Sequence, residues 1–275
     1  FLKRVDLDDR GVEASRYRSD NDEAMAELAA GLFPPTAVHP ADAPLVELGD
    51  FDPEAEVKLV ASMLYPYTDL PETQIEQRVR AMAVDDRLAV LRAYSGDRRN
   101  RRHRPGRALE RPTYRFDVLT DYGAFRDLQR HRLLSVDWQR LSPRHGYTRP
   151  DAIDEAGFTT EFDAAMQRSA DLHDLLCETY PDQAQYAVSL AYRVRFMMQM
   201  NAREAMHVLE LRTTPQGHPA YREVCQQMHR LIAERAGHRA VAAMMTHVDH
   251  TSPAELGRLP SERATARHTG EGNQP

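Results

Sequence analysis

Apolar residues recur at helical spacing along most of the chain. A repeat of three to four positions predicts helices, and the segments that show it are residues 53–65, 72–82, 85–94, 122–134, 160–178, 183–211 and 219–236. One segment has a different period, because Tyr114, Phe116 and Val118 alternate with charged residues, which predicts a strand. The pattern indicates a helix-rich α/β fold in which sequence alone detects few strands.

The two ends of the chain differ from this middle part. Residues 1–44 are mostly polar, and four prolines follow a short helical run at residues 25–32. We interpret this segment as an N-terminal extension or linker. Residues 252–275 are also polar and are expected to form a disordered tail. The ordered domain is therefore predicted to span residues 45–251.

The composition excludes several classes of protein. Of 275 residues, 41% are hydrophobic and 28% charged, which is typical of soluble globular proteins. No apolar stretch approaches the roughly 18 to 20 residues that cross a bilayer, and no signal peptide is recognisable. We therefore expect a cytoplasmic protein without a membrane partner. Cys177 and Cys225 both lie in apolar helical patterns, so we expect buried, inert thiols and no cysteine nucleophile.

The charged residues are distributed unevenly. The net charge is −6, and all but two of the 36 basic residues are arginines. Residues 98–149 contain fourteen arginines and five acidic residues, a local charge of +9, which leaves −15 for the rest of the chain. Codon usage in a GC-rich genome explains arginine in place of lysine but not this clustering. The basic segment indicates a phosphate-bearing partner, either a small molecule or a polymer.

A first candidate cluster lies at the end of the helix predicted over residues 122–134. Arg126 and Arg130 share one face of that helix, and Arg130, His131 and Arg132 surround its last turn. Converging guanidinium groups bind phosphate oxygens in pairs, so the cluster is suited to hold a pyrophosphate. The alternative is that these residues remain solvated and only complement the helix dipole.

A second candidate cluster lies in the apolar segment 183–211, which we interpret as one helix. Arg203, His207 and Glu210 fall at positions i, i+4 and i+7, so they form one polar stripe. Asn201 and Arg212 are about three turns apart on the same side. The stripe indicates either an internal ion pair between Arg203 and Glu210 or a helix face that lies along an extended polar ligand.

The two clusters together resemble a known family, the flavin-dependent thymidylate synthases. The resemblance rests on Arg130-His131-Arg132 followed, after two intervening residues, by Ser135, and on Asn201-Ala-Arg203 followed by Leu-Glu-Leu-Arg212. It extends from about residue 45 to residue 250. It implies a helix-rich α+β fold with a small, twisted, mainly antiparallel sheet, and a homo-oligomer, expected to be a tetramer.

The resemblance also implies a reaction and its site. The family methylates dUMP to dTMP with methylenetetrahydrofolate, using FAD that NADPH reduces. Carried over to this sequence, the residues expected to bind FAD are Arg130, His131, Arg132, Asn201, Arg203 and His207. Those expected to bind dUMP are Ser142, Arg144 and Arg212. Ser142 and Arg212 are expected to be catalytic, with Arg212 stabilising the negative charge that develops on the uracil ring. No metal is expected.

Several positions depart from the family pattern, mainly on the nucleotide side. Asp137 stands where the signature has Asn, and Asp127 stands where a nucleotide-binding Gln is expected. Gln185 replaces a phosphate-binding arginine, and Pro143 and His145 replace a small residue and a tyrosine. A carboxylate in place of an amide and the loss of a guanidinium both weaken binding of a dianionic phosphate.

Two rival hypotheses follow from these observations. In the first hypothesis, the chain is a catalytically degenerate copy of the fold, and it has a structural or flavin-binding role beside an active repeat upstream. Alternatively, the loop at residues 98–107 would bind nucleic acid, which is less favoured because the loop has no aromatic residues for base stacking. His247 and His250 invite a metal interpretation, but no third ligand is evident in the sequence, so we expect surface histidines.

Overall fold

The computed structural model of the chain describes residues 10–33, 43–251 and 263. The chain divides into two compact units, residues 1–42 and residues 43–275. The first unit contains helix α1 (Arg10–Leu32), which begins fifteen residues before the predicted run at residues 25–32. The sequence pattern did not predict the first half of this helix, because that half has few apolar residues. The predicted linker prolines at 34–40, and the predicted tail apart from residue 263, lie outside the described residues.

The second unit is built on a four-stranded antiparallel sheet. Its strands are β1 (Val46–Phe51), β2 (Thr113–Asp121), β3 (Ser135–Trp138) and β4 (Arg193–Asn201), arranged in the order β1-β2-β4-β3. The long strands β2 and β4 pair over their full length, from Thr113 opposite Asn201 to Asp121 opposite Arg193. The predicted strand at residues 114–118 is confirmed. Three further strands that the sequence pattern did not show complete the sheet: β1 and β4 pair with β2, and β3 pairs with β4.

Helices surround this sheet and cover its apolar face. They are α2 (Ala55–Leu64), α3 (Glu72–Ala81), α4 (Val84–Ser95), α5 (Tyr122–Leu128), α6 (Asp151–Glu155), α7 (Thr159–Cys177), α8 (Ala202–Arg212), α9 (Pro219–Glu234) and α10 (Arg239–Met244). Short 3-10 turns occur at Tyr65–Tyr67, Arg107–Glu110, Pro143–His145 and Gln183–Ala187. No helix in the described residues is long and apolar enough to cross a membrane.

The core lies between the inner face of the sheet and the helices. Alternate residues of β2 and β4 are buried at 0–2% exposure, and they are Tyr114, Phe116, Val118, Val194, Phe196, Met198 and Met200. Buried residues of α2, α8 and α9 belong to the same core cluster. Removing this apolar area from water is the main stabilising contribution to the unit.

The predicted single helix over residues 183–211 is wrong. The segment contains a 3-10 turn, strand β4 and most of helix α8. The period-two pattern of β4 was hidden because its outward position at Met197 is also apolar, which makes residues 196–198 look continuous. Methionine also favours helices in isolation, and here pairing with two neighbouring strands overrides that preference.

The helix predicted over residues 122–134 is also shorter than expected. Asp121 caps its start, since the Asp121 carboxylate accepts a hydrogen bond from the backbone N–H of Ala124 at 2.8 Å. The helix ends at Leu128, and Leu133, which the predicted helix included, is 70% exposed. Arg130, His131 and Arg132 therefore lie in the connection between α5 and β3 and not on a helical turn.

Candidate functional site

Helix α8 positions one half of the candidate site. Strand β4 runs directly into it, and Asn201 at the junction accepts a hydrogen bond from the backbone N–H of Glu204 at 2.9 Å through its side chain. The predicted polar stripe of Arg203, His207 and Glu210 is present on this helix. The side chain of Asn201 therefore acts as an N-cap, which fixes where the stripe begins.

Each residue of the stripe has a partner in the segment that connects α4 to β2. Glu210 binds Arg98 through two hydrogen bonds of 2.5 and 2.7 Å, and both side chains are 2% exposed. Arg203 donates to Glu110 at 3.1 Å and, at 3.4 Å, to a backbone carbonyl oxygen of the same segment. His207 Nδ1 lies 3.3 Å from Arg104. The predicted ion pair between Arg203 and Glu210 is not formed, because each binds this segment instead.

The two sequence motifs meet at Arg212. Its Nε donates to His131 Nε2 at 3.0 Å, although the two residues are 81 positions apart. Its other nitrogens donate to the backbone oxygen and the carboxylate of Asp127 at 2.5 and 3.4 Å. The guanidinium also lies over the ring of Tyr221, 5.4 Å from its centre. These contacts hold the guanidinium in one orientation beside His131.

A small cleft lies where β4 runs into α8. Its volume is about 360 Å³, and it is lined by Glu110, Thr113, Leu133, Leu134, Ser135, Gln199, Met200 and Asn201. Ser135 of the first motif and Asn201 of the second therefore face the same space. The cleft is polar at Glu110 and Asn201 and apolar at Leu133 and Met200, which suits a ligand that has both a ring and polar groups.

His131, Glu204 and His207 form a cluster whose ligand atoms lie within 4.8 Å of one another, close enough for a metal ion. Each imidazole of this cluster contacts a guanidinium group. Arg212 donates to His131 Nε2, and Arg104 lies beside His207 Nδ1. A hydrogen bond from Arg212 to Nε2 leaves the His131 proton on Nδ1, which faces Glu204 at 3.6 Å. Two adjacent fixed positive charges oppose a metal cation, so the cluster favours an anion.

Burial lowers the pKa of His207, Glu204 acts in the opposite direction, and the neighbouring Arg104, His131 and Arg101 lower the pKa further. The imidazole of His207 is therefore neutral at physiological pH. A neutral imidazole can both donate and accept a hydrogen bond, which matches the polar heteroaromatic ring of a flavin better than an imidazolium does.

Four further predicted residues, two expected to bind FAD and two expected to bind dUMP, are less well held in a single chain. The side chains of Arg132 and Arg144 are exposed and make no polar contact among the described residues, and Arg130 lies 3.9 Å from Asp127 with 71% of its side chain exposed. Ser142 immediately precedes the 3-10 turn at Pro143–His145 and has no side-chain hydrogen bond there. The predicted residues are accessible but are not brought together.

The departures from the family pattern have different structural settings. Asp137 is exposed on β3, whereas Asp127 is bound to Arg212. The side chain of Gln185 accepts a hydrogen bond from the backbone N–H of Leu141 at 3.0 Å, so it supports the segment that carries Ser142. Burial lowers the pKa of His145, and the charges of Arg195 and Arg144 add to the effect. Gln185 therefore has a structural role at a position where a phosphate ligand was expected.

The cysteines and the C-terminal histidines only partly match expectation. Cys225 is buried, and burial raises the pKa of its thiol to about 12, so this thiol is inert. Cys177 is exposed, which contradicts the predicted burial, because its position on α7 faces solvent. His250 is exposed as predicted, but His247 is half-buried with its Nε2 atom inside and without a hydrogen bond.

Four residues of the site were not predicted from the sequence motifs. Arg98 and Arg104 belong to a run of six arginines, and nothing in the sequence distinguishes the buried member from the exposed ones. Glu204 and Tyr221 lie outside the quoted motifs. The only available signal was the excess of arginine in this segment, which indicated an anion but not a location.

The family model described as thymidylate synthase complementing protein matches residues 48–237. The chain belongs to this family. A UPF0159 protein of Chlamydia muridarum (strain MoPn / Nigg) is 33% identical over 211 residues, which are 77% of this chain and 39% of that protein. A UPF0159 protein of Thermoplasma acidophilum is 36% identical over 207 residues, which are 74% of this chain and 41% of that protein. The chain thus spans about two fifths of the length of these curated relatives.

The fold of this family member is similar to that of solved structures. One is the flavin-dependent thymidylate synthase of Helicobacter pylori complexed with FAD and dUMP, with a TM-score of 0.52, 15% identity, and coverage of 68% of this chain and 93% of that one. Another is the UMP/dUMP methylase PolB of Streptomyces cacaoi bound with 5-Br dUMP, with a TM-score of 0.56, 19% identity, and coverage of 74% and 97%. The predicted family and fold class are confirmed.

Proposed function

We propose that the chain is a flavin-dependent methylase of a uracil nucleotide, with dUMP as substrate and dTMP as product. The observation that carries the proposal is the contact between Arg212 and His131, since it joins the two signature motifs into one site. Family membership supports the reaction class, and a similar fold has been solved with FAD and dUMP. The proposed co-substrates are NADPH and methylenetetrahydrofolate.

The residues of the first half fit a flavin. Neutral His207 offers one donor and one acceptor, and the exposed guanidinium groups of Arg130 and Arg132 can donate to polar atoms of the cofactor. His131, Asn201 and Arg203 complete the proposed set, and Asn201 lines the cleft at the start of α8. When bound, FAD would carry the hydride that NADPH supplies and that reduces the transferred methylene group to methyl.

Arg212 is the proposed catalytic group for the pyrimidine. The ring carbon that accepts the methylene group loses a proton, and negative charge develops on the ring oxygen atoms during this step. A guanidinium already held by His131, Asp127 and Tyr221 stabilises that charge without having to reorient. Ser142 and Arg144 are proposed to hold the nucleotide, with Ser142 as a further catalytic donor. The inert thiol of Cys225 provides no nucleophile, as the family chemistry requires none.

A homo-oligomer, most simply a tetramer, would complete the binding sites for both ligands. Arg130, Arg132 and Arg144 are exposed and do not converge in one chain, so a neighbouring subunit is proposed to bring its own residues opposite them. A cytoplasmic location is proposed with this metabolic role.

One observation favours a second candidate function. The carboxylate of Asp127 already pairs with the guanidinium group of Arg212. This pairing opposes binding of a dianionic nucleotide at the same guanidinium group. In this alternative, the chain binds flavin or supports an active repeat but does not methylate a nucleotide itself. The partial coverage of the longer relatives is compatible with such a role.

The test uses the purified protein with added FAD. The flavin absorption spectrum reports binding, and chromatography of the product reports whether dUMP or UMP is methylated in the presence of NADPH and methylenetetrahydrofolate. Formation of dTMP that depends on both cofactors supports the first proposal. A protein that binds FAD but forms no methylated nucleotide supports the second, and a protein that binds no flavin contradicts both.

A further inference from the structure

The loop between α4 and the 3-10 turn at residue 107 carries arginines that the family signature does not use. This basic loop comprises residues 96–106, and its arginines are Arg98, Arg99, Arg101, Arg102 and Arg104. It contains one acidic residue, Asp97, which pairs with Arg99 at 3.3 Å. The loop therefore has more positive charge than its own residues neutralise.

A buried ion pair fixes the basic loop to α8. Arg98 is the only arginine of the loop whose side chain is buried, and it binds Glu210, the backbone oxygen of Met244 and the backbone oxygen of His103. A pair of charges removed from water is retained only with such complete hydrogen bonding. Arg98 thus has a structural role, and it is not available to a ligand.

Both ends of the basic loop are fixed as well. Gly96 has a φ of +61°, a left-handed conformation that favours glycine and lets the chain leave α4 sharply. A Cβ atom at Gly106 would overlap the hydroxyl group of Tyr94, which accepts a hydrogen bond from the backbone N–H of Ala108 at 3.1 Å, so a larger residue would have to displace this contact. The loop is therefore held at its start, its middle and its end.

Hydrogen bonds within the loop present the remaining arginines at its tip. The backbone N–H of Arg102 donates to the side chain of Asn100 at 2.9 Å, and that of His103 donates to the backbone oxygen of Asn100 at 3.0 Å. Arg101 and Arg102 form the resulting turn, and their exposed side chains have no acidic partner among the described residues. Arg104 reaches His207 on α8 at 3.3 Å.

These arginines lie next to the junction of the two motifs. Arg101 and Arg104 are both close enough to His207 for their charges to act on it, and His207 in turn packs edge-on against His131 at 5.7 Å between ring centres. Arg212 binds the far side of His131. The acidic residue of this cluster is Glu204, whose carboxylate lies 3.6 Å from His131.

We infer that the basic loop is a binding site for a diphosphate ester, held by Arg101, Arg102 and Arg104 beside His207. Paired guanidinium donors match the non-bridging oxygens of a diphosphate, and a loop fixed in advance loses little entropy when it binds. The inference rests on the proposed function only in naming the diphosphate of FAD as the source. A polymeric nucleic acid is disfavoured, because three guanidinium groups on one tight turn without aromatic residues do not form an extended surface.

The test compares two sets of variants by isothermal titration calorimetry. In the first, Arg101, Arg102 and Arg104 are each changed to Gln in one protein. In the matched control, Arg99→Gln alters the same loop and residue type, but at a guanidinium already paired with Asp97. The probes are inorganic pyrophosphate, FAD, riboflavin, dUMP and a single-stranded oligonucleotide. All four residues are exposed, and circular dichroism verifies that the fold is retained.

The expected result is that pyrophosphate and FAD bind the triple variant at least 100-fold more weakly than the parent, at about tenfold for each charged hydrogen-bonding group lost. Riboflavin and dUMP should be unaffected, and the control should match the parent. Equal pyrophosphate affinity in the parent and the triple variant, or no binding to the parent, overturns the inference. So does a loss confined to dUMP or to the oligonucleotide.

The outcomes separate this inference from the proposed function. If FAD binds the parent and the triple variant equally, the basic loop does not hold the diphosphate, and the flavin proposal is unaffected. If FAD does not bind the parent but pyrophosphate behaves as expected, the anion site is supported and the flavin proposal fails.

Discussion

The flavin half and the nucleotide half of the candidate site differ in how much of each is built within one chain. In the flavin half, Arg98, Arg203, His207 and Glu210 all have partners, and the Arg98–Glu210 pair is buried. In the nucleotide half, the side chain of Arg144 is exposed without a polar partner in the described residues, and Ser142 makes no side-chain hydrogen bond at the turn that it precedes. The difference shows that an arginine has a structural role where carboxylates and carbonyls surround it, and that its guanidinium group stays free for a ligand where they do not.

Arg212 lies where the two halves meet, and its setting sharpens this comparison. It is oriented by the flavin half through His131, but Asp127 of the nucleotide half neutralises it. Orientation of a charge and its availability to a substrate are therefore separate properties. The experiments below alter one half at a time.

The largest effect is expected from Arg98→Ala in the flavin half. Removing one partner of a buried, hydrogen-bonded pair leaves Glu210 as an uncompensated charge, so the free energy of unfolding should fall by about 3–5 kcal/mol. Urea unfolding measures this value. The matched variant Arg99→Ala lies on the same loop but is 81% exposed, and it should change stability by about 0.5 kcal/mol or less. Equal losses in both variants would mean that the Arg98–Glu210 pair does not hold the loop.

The next effect concerns catalysis at the junction. Arg212→Lys keeps the positive charge but loses the planar guanidinium group, which donates to both His131 and Asp127 and lies over the ring of Tyr221. The rate of dTMP formation should fall by about 100-fold with little change in flavin binding. Steady-state kinetics and the flavin spectrum measure the two quantities. An unchanged rate would remove Arg212 from the proposed catalytic role.

A smaller effect of opposite sign is expected on the nucleotide side. Asp127→Asn removes the carboxylate that competes with substrate for Arg212, so dUMP should bind about tenfold more tightly. Calorimetry with dUMP measures the change. The control Asp174→Asn removes an exposed carboxylate on α7 and should leave the affinity unchanged. Weaker dUMP binding in Asp127→Asn would show that Asp127 contributes to the nucleotide site and does not oppose it.

The smallest effect is a change in the pH dependence of stability. Burial lowers the pKa of His207 in the folded protein. As the pH falls below the ordinary value of 6.5, His207 therefore binds a proton in the unfolded chain before it does so in the folded protein. His207 therefore favours the folded state above pH 6.5, and this contribution is lost as the pH falls through the lowered pKa. In the flavin-free protein, the free energy of unfolding should fall less steeply between pH 7 and pH 5 in His207→Gln than in the parent. The difference in slope should be at most about 1.4 kcal/mol per pH unit. Urea unfolding at several pH values measures the slope, and identical slopes in variant and parent would contradict a lowered pKa.

Much of the fold and the identity of the motifs were predictable from sequence. The helices at α2, α3, α4, α7 and α9 matched the apolar period to within a few residues, because that period is a property of the local sequence. Strand β4 did not, because its exposed methionine hides the alternation that pairing with β2 and β3 reveals. The position of His131 beyond the end of α5 likewise depends on β3 pairing with β4, which a local pattern does not contain.

The sequence by itself determined the family, the polar stripe of α8 and the excess of arginine, because these are properties of residue type and spacing. Only the tertiary structure decided which arginines are structural and which are free. Arg98 and Arg101 are three positions apart in one loop, yet one is buried against Glu210, 112 positions away, and the other faces solvent. The role of a charged side chain depends on the partners and the water around it, and those are set by contacts between segments distant in the chain.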